Sequence, residues 1–284
     1  MKLTDMSYAH EVMARHGIAP KKKYGQNFLT SDAVVSHIAD TPSEDSEVGV
    51  LEIGPGIGTL TEALAERYKK VVSVEIDETL LPVLAETVGW RENVTVVNAD
   101  AMKLDLPEFV KEHFGDIKVC VCANLPYYIT SPIIMKILEC GSLFESVTVM
   151  IQKEVAERLA AAPGSDDYGA ITVFAAYLAK VEKCFNVSPG NFLPQPKVTS
   201  AVIRMTPHKN PPVDVKNPEN MQKIIKAAFE QRRKMLAGAL SAATSRVSKT
   251  QIAEKITEAG LPADIRGEKL SLADFARLSD ILEI

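Results

Sequence analysis

The sequence predicts an α/β protein, a doubly wound and mostly parallel sheet followed by a small all-α unit. Two observations carry this. From residue 31 to about 206, short β-branched runs alternate with amphipathic stretches, the pattern of strand–helix–strand crossovers. At Pro207-His208-Lys209-Asn210-Pro211-Pro212 prolines and polar residues interrupt it, and the chain beyond reads as almost wholly helical. A boundary is therefore expected at 207/208, with one unit over 1–207 and a second over 208–284. The second is too small for a core of much independence. Taken in order, Ser31 is placed to cap a helix running to about residue 39. Strands are expected over 48–53, 71–76, 94–98, 117–123 and 146–151, because short runs rich in Val and Ile suit strands buried on both faces. Helices are expected between them over 59–68, 78–87, 131–139 and 152–161. Runs at 181–187 and 198–205 flank a proline-rich loop and read as an antiparallel hairpin at the sheet's edge. In the tail, helices are expected over 217–230, 233–243, 249–259 and 271–282, with Gly260 and Pro262 ending the third.

Composition narrows the class. A chain with 46% hydrophobic and 24% charged residues is that of a soluble globular protein, and no stretch approaches the roughly 20 apolar residues of a membrane helix. The start, MKLTDMSYAHEVMARHG, has acids and histidines where a signal peptide has its apolar core, so a cytoplasmic protein is expected. Cys120 and Cys122 share one face of a strand, a geometry that suits neither a disulfide nor the usual zinc spacing, and with Cys140 and Cys184 they are expected to be small reduced apolar residues. The histidines at 10, 16, 37, 113 and 208 form no ligand pair, and no metal is expected. A net charge of −5 argues mildly against nucleic acid. Distribution matters more than the sum, and Lys21-Lys22-Lys23 and Arg232-Arg233-Lys234 stand out. Either cluster alone reads as a solvated face.

Three strand ends point to a cofactor. The loop Glu52-Ile53-Gly54-Pro55-Gly56-Ile57-Gly58 joins the first expected strand of the alternating region to a helix. Glycines let the backbone turn tightly and approach a ligand. The spacing is G-x-G-x-G, not the dinucleotide G-x-G-x-x-G, and Pro55 removes an N–H that a pyrophosphate cradle needs. Glu75 ends the next strand, 21 residues after Gly54, where a carboxylate can accept from both hydroxyls of a ribose. Asp100 ends the third, where it can accept from an adenine amino group. A cofactor with adenine and ribose but no phosphates fits all three, and S-adenosylmethionine is that molecule. On the fourth strand end, Asn124-Leu125-Pro126-Tyr127 sets an amide, a rigid turn and an aromatic face together. That set can hold a planar, amine-bearing ring, so methylation of an exocyclic nitrogen on a nucleobase is expected.

The chain resembles the small-subunit ribosomal RNA adenine N6,N6-dimethyltransferases. The likeness is carried, in order, by KKKYGQNFL (21–29), VLEIGPGIGTLTE (50–62), VVSVEID (71–77), NADAMKLD (98–105), ANLPYYITSPI (123–133), MIQKEVAERLAA (150–161), NFLPQPKVTSAVIR (191–204) and FEQRRKML (229–236). It departs at Gln195, where a proline or small residue is usual, and at Ala123, where glycine is frequent. Neither change removes a side chain the chemistry needs. The resemblance implies a Rossmann-like class I S-adenosylmethionine-dependent methyltransferase sheet with a helical C-terminal domain that binds rRNA. It implies that Asn27, Leu29, Gly54, Glu75, Asp100 and Asn124 line the cofactor pocket, with Gln26 and Phe28 in the same segment. The implied reaction is dimethylation of the 6-amino groups of two adjacent adenosines near the 3′ end of 16S rRNA in the small ribosomal subunit, with a part in subunit assembly.

On that basis the Asn124 side-chain oxygen accepts one N–H of the target amine and the Leu125 carbonyl the other. Tyr127 stacks on the base, Phe192 covers its other face, and Tyr128 is structural. Lys21, Lys22, Lys23, Arg232, Arg233 and Lys234 contact rRNA phosphates, and the protein is expected to be a monomer. The nearest rival is a large-subunit methyltransferase of the antibiotic-resistance type, which shares the Asn-Leu-Pro-Tyr site. FEQRRKML and the fuller helical tail favour the small-subunit enzyme. DNA-adenine enzymes more often place Asp where Asn124 stands, and protein-glutamine enzymes place Pro where Leu125 stands. Intact Asn124, Glu75 and Asp100 speak against a non-catalytic assembly factor on the same fold.

Overall fold

A computed structural model describes residues 2–21 and 25–284. The chain forms two compact units, Met1–Ala156 with Val181–Pro207, and Glu157–Lys180 with His208–Ile284. The elements of the first run in the order α1 (Met6–Arg15), β1 (Phe28–Leu29), α2 (Asp32–Asp40), β2 (Gly49–Ile53), α3 (Thr59–Arg67), β3 (Lys70–Glu75), α4 (Leu81–Thr87), β4 (Val94–Asn98), α5 (Leu106–Phe114), β5 (Val119–Asn124), α6 (Thr130–Glu139) and β6 (Phe144–Gln152). After α7 (Lys153–Leu159) and α8 (Ala170–Leu178), the chain returns through β7 (Ala179–Val187), β8 (Phe192–Leu193) and β9 (Ser200–Pro207).

The main sheet has seven strands in the order β4-β3-β2-β5-β6-β9-β7. The β2–β3, β3–β4, β2–β5 and β5–β6 pairs are parallel, and β9 runs antiparallel to β6. The chain winds outward from β2 to β4, then crosses back to β5 on the other side of β2. The carboxyl ends of β2 and β5 therefore flank the switch point where open α/β sheets leave a crevice. β2 is buried along its whole length, as its run of apolar residues requires. Cys120 and Cys122 are buried free thiols in the core that packs α2 and α3 on the sheet.

Three helices escape the sequence reading. Asp105 caps α5, Pro107 sits in its first turn, and Leu106, Phe109, Val110 and Phe114 are its buried residues. That i, i+3, i+4, i+8 spacing is a legible helix signal. α8 (AITVFAAYL) has almost no polar face, so its period is masked. α1 is capped by Asp5. The two-residue pair β1–β8 is too short to show a period. Ser31 occupies the N-cap of α2 but makes no capping hydrogen bond.

The second unit holds α8 with α9 (Pro218–Glu230), α10 (Leu236–Ala243), α11 (Lys249–Glu258) and α12 (Leu272–Ile281). α10 starts at Leu236, later than expected, because 231–234 form a turn closed by Lys234 N–H to the Gln231 carbonyl at 2.8 Å. One change of unit falls at Pro207/His208, and segment 157–180, expected with the first unit, packs with the helices. Tyr168 and Val173 share a core with Ile224, Leu236 and Phe275, and the Tyr168 hydroxyl donates to the Leu270 carbonyl at 2.7 Å. Among the described residues no helix is long and apolar enough to cross a membrane.

Candidate active site

The crevice at the switch point is a cavity of about 200 Å³. Its walls are the 25–29 segment, the 52–56 loop, the ends of β3 and β4, and the 124–129 loop. Asn27, Leu29, Gly54, Glu75, Asp100, Asn124, Leu125 and Tyr127 all reach it, so the structure gathers eight residues that the sequence scatters over a hundred positions.

The loop after β2 depends on glycine. Gly54 and Gly56 take φ of 72° and 61°, a left-handed conformation that side chains resist. A Cβ on Gly56 would stand 3.0 Å from the Phe28 ring, whereas one on Gly54 would meet only open space beside the cavity. Glu75 closes the loop from below. Its carboxylate accepts from Gly56 N–H at 3.3 Å and from Asp77 N–H at 2.8 Å. It is buried, and burial raises its pKa against the pull of those two bonds. Asp100 folds its connection locally, one oxygen accepting from Met102 N–H at 2.9 Å.

Asp77, which the sequence reading quotes only as part of VVSVEID, is a hub. It accepts from Gln26 Nε2 at 3.0 Å, Lys21 Nζ at 2.8 Å and the Thr79 hydroxyl at 2.8 Å. Burial pushes its carboxyl up, but the hydrogen bonds from Lys21, Thr79 and Gln26 outweigh it and hold the pKa low. Lys21 N–H also donates to Gln26 Oε1 at 2.8 Å. The Lys21 ammonium, expected on rRNA phosphates, here donates to Asp77 and the Thr79 hydroxyl, while Gln26 ties the 25–29 segment to Asp77 at the end of β3. Lys22 and Lys23 lie outside the described residues.

On the opposite wall, Asn124 Nδ2 donates to the Asn27 carbonyl at 3.0 Å. A carbonyl can only accept, so this bond fixes the amide with its oxygen as the remaining acceptor. The Tyr127 hydroxyl and the Ser200 hydroxyl lie 2.9 Å apart, and Ser200 is buried at the start of β9. Tyr128 is exposed and borders the cavity. Phe192 is only 3% exposed, pairs with Leu29 across β1–β8, and belongs to a core cluster rather than the cavity wall. The Phe192 ring, expected over the base's second face, here lies in the core beside the cavity rather than on its wall.

Glu52 is a site residue that sequence reasoning quoted in the glycine loop but gave no role. It lies at the cavity floor, 1% exposed, with one oxygen accepting from the Thr61 hydroxyl at 2.7 Å and the Ser73 hydroxyl at 2.6 Å. Burial raises its pKa to about 7, against those two bonds.

Arg232, expected on rRNA phosphates, is engaged within the helical unit. Its Nε donates to Glu268 at 2.9 Å, and Nη2 donates to the Ser165 and Asp166 carbonyls at 3.3 and 2.6 Å. These donors hold the 162–168 loop inside the helical unit. Arg233 and Lys234 are exposed.

The donor set suits S-adenosylmethionine. Among the described residues that line the cavity there are acids, amides and backbone groups, and no lysine or arginine to neutralise a phosphate. Buried carboxylates call for hydroxyls, amines or a cation. The open space beside Gly54 leaves its backbone accessible to such a ligand.

Residues 18–283 match the family model described as ribosomal RNA adenine dimethylase. The chain is 45% identical over 283 residues to the ribosomal RNA small subunit methyltransferase A of Lachnoclostridium phytofermentans, covering 99% of this chain and 98% of that one. It is 42% identical over 286 residues to the protein of the same name from Streptococcus gordonii, covering 100% and 99%. Among solved structures, a dimethyladenosine transferase from Plasmodium falciparum superimposes with a TM-score of 0.74 at 26% identity, over 88% of this chain and 95% of that one. The 23S rRNA methyltransferase ErmE superimposes with a TM-score of 0.68 at 27% identity, over 90% and 99%.

Proposed function

The chain belongs to the ribosomal RNA adenine dimethylase family, as an S-adenosylmethionine-dependent small-subunit (16S) rRNA adenine dimethyltransferase, and on that premise we propose how its residues carry out the reaction. The observation that carries the reading is the locked Asn124 amide, facing the same cavity as two strand-end carboxylates.

Glu75 orients the ribose through its remaining lone pairs, Asp100 takes the adenine amine, and Asn27, Leu29 and Gly54 complete the pocket. Hydrogen bonds to a charged acceptor contribute roughly 1.5–3 kcal/mol each, enough to orient a nucleoside. When bound, S-adenosylmethionine supplies an electrophilic methyl group on a sulfonium. The target 6-amino group is a poor nucleophile, because its lone pair is delocalised into the adenine ring. Asn124 Oδ1 accepts one of its N–H bonds. The Leu125 carbonyl, which takes no hydrogen bond among the described residues, accepts the other. Two acceptors draw the nitrogen toward a tetrahedral shape, with its lone pair turned out of conjugation. Methylation makes that nitrogen acidic, so its proton passes to water and no strong base is required. In the second round the amine carries one N–H, and one acceptor suffices.

Tyr127 stacks on the base, its ring held by the bond to Ser200. Base–aromatic stacking is worth roughly 1–3 kcal/mol, comparable to extruding the adenosine. Most of the catalysis is then positioning, which can supply roughly 7–11 kcal/mol of barrier reduction. The helical unit binds rRNA through exposed Arg233 and Lys234, with Lys22 and Lys23 adding charge. The protein acts as a cytoplasmic monomer on two adjacent adenosines near the 3′ end of the rRNA within the small ribosomal subunit, and takes part in its assembly. A tritiated-methyl assay on under-methylated small subunits, with large subunits and free DNA as controls, tests this. Label is expected in small-subunit rRNA alone as dimethyladenosine, and comparable label in large subunits would overturn the substrate assignment.

A further inference from the structure

One lysine joins the two walls of this cavity. Lys136 lies on α6, the helix that continues directly from the 124–129 loop. Its Nζ donates to the Met102 carbonyl at 2.7 Å and to the Leu104 carbonyl at 2.6 Å, in a part-buried position. Both carbonyls belong to the connection between β4 and α5, which carries Asp100 and gives Ala99, Asp100, Ala101 and Met102 to the cavity wall.

Ala99 N–H ties the start of that connection to the Glu75 carbonyl of β3 at 3.1 Å, and its remaining bonds are local. Asp100 accepts from Met102 N–H through its side chain and from Lys103 N–H through its carbonyl at 2.8 Å, and Asp105 caps α5. They shape the turn without setting its distance from the opposite wall. The acceptor side is stiff by comparison: the Thr130 hydroxyl and Ile129 N–H both return to the Pro126 carbonyl at 3.2 Å, so the 124–129 loop and α6 move together. An ammonium offers three donors and no acceptor, which suits two adjacent carbonyls. Charge-assisted bonds of this length are the stronger class.

We propose that Lys136 is a positioning residue of the methyl transfer, fixing the Asp100 wall of the cofactor cavity against the loop that presents Asn124 and Tyr127. The inference rests on the reading of Asp100 as a cofactor contact. It gives Lys136 no contact with cofactor or base. Its effect is on where Asp100 stands.

The test compares K136M, which keeps the apolar stem and loses the donors, with K136R, which keeps N–H donors. Titration calorimetry with S-adenosylhomocysteine reads the cofactor site, and melting curves read the fold. K136M is expected to raise Kd about tenfold, about 1.4 kcal/mol. At saturating S-adenosylmethionine its kcat on under-methylated small subunits should return to within about threefold of wild type, giving a KM effect larger than the kcat effect. K136R should recover most of the affinity. Should K136M fail to fold, K136L, which also lacks donors, takes its place in the same comparison. An unchanged Kd in a folded K136M, or equal losses in K136M and K136R, would overturn the inference. Absence of any S-adenosylhomocysteine binding by the wild-type chain would overturn the cofactor reading, and this inference with it.

Discussion

Asn124 works because only one end of its amide is engaged. With Nδ2 donating to the Asn27 carbonyl, Oδ1 is left as the acceptor of a residue that lines the cavity. Asn124→Ala removes that acceptor and keeps the two acids, so turnover should fall at least about a hundredfold while S-adenosylhomocysteine affinity stays within about fivefold. Calorimetry beside the tritium assay separates the two effects. Glu75→Ala should do the reverse first: loss of a charged acceptor for two hydroxyls predicts an affinity loss of about a hundredfold or more in the same titration. Glu52 makes a different prediction, about pH. Its folded-state pKa, about 7, lies above the ordinary glutamate value near 4.5. The folded chain holds this proton where the unfolded chain has released it. The stability it contributes is fully present below pH 4.5 and is lost as pH rises through about 7, by about 3 kcal/mol in all. Glu52→Gln should therefore flatten the fall in Tm between pH 5 and 7 and be more stable than wild type at pH 8. Parallel pH profiles for the two proteins would refute this.

At the scale of elements, the glycine loop, β3 and β4 each end at the cavity because parallel strands deliver their carboxyl ends to one edge. The 25–29 segment is different: it is held by β1–β8 pairing and by Asp77, both long-range. The basic cluster at the α9–α10 corner divides by element. Arg232 braces the 162–168 loop, so Arg232→Ala should lower Tm by about 3–6 °C, the loss of about 1–2 kcal/mol of hydrogen bonding. Arg233→Glu with Lys234→Glu should leave Tm unchanged, weaken rRNA binding, and flatten its salt dependence by a slope of about 1–2. Filter binding across a salt series reads this. An unchanged slope would return both residues to a solvated face.

At the scale of the molecule, the chain leaves the first unit at Ala156, returns at Val181 and leaves again at Pro207. A chain truncated after Pro207 would keep 157–180 without the helices that cover Tyr168 and Val173. It should bind a hydrophobic dye and aggregate, whereas a self-contained unit ending at 207 would melt cooperatively as a monomer. The sequence by itself determined the strand–helix alternation, the positions of five parallel strands to within two residues, and the chemistry at their ends. Each of those follows from local pattern: β-branched runs for buried strands, glycine where φ must be positive, a carboxylate where a strand stops. Tertiary structure alone decided that Lys21 and Arg232 are braces, that Phe192 belongs to the core, and that 157–180 joins the helices. In each case the deciding partner lies far along the chain, at Asp77, Glu268, Leu29 and Leu270, and one-dimensional pattern carries no information about which distant group a side chain will meet.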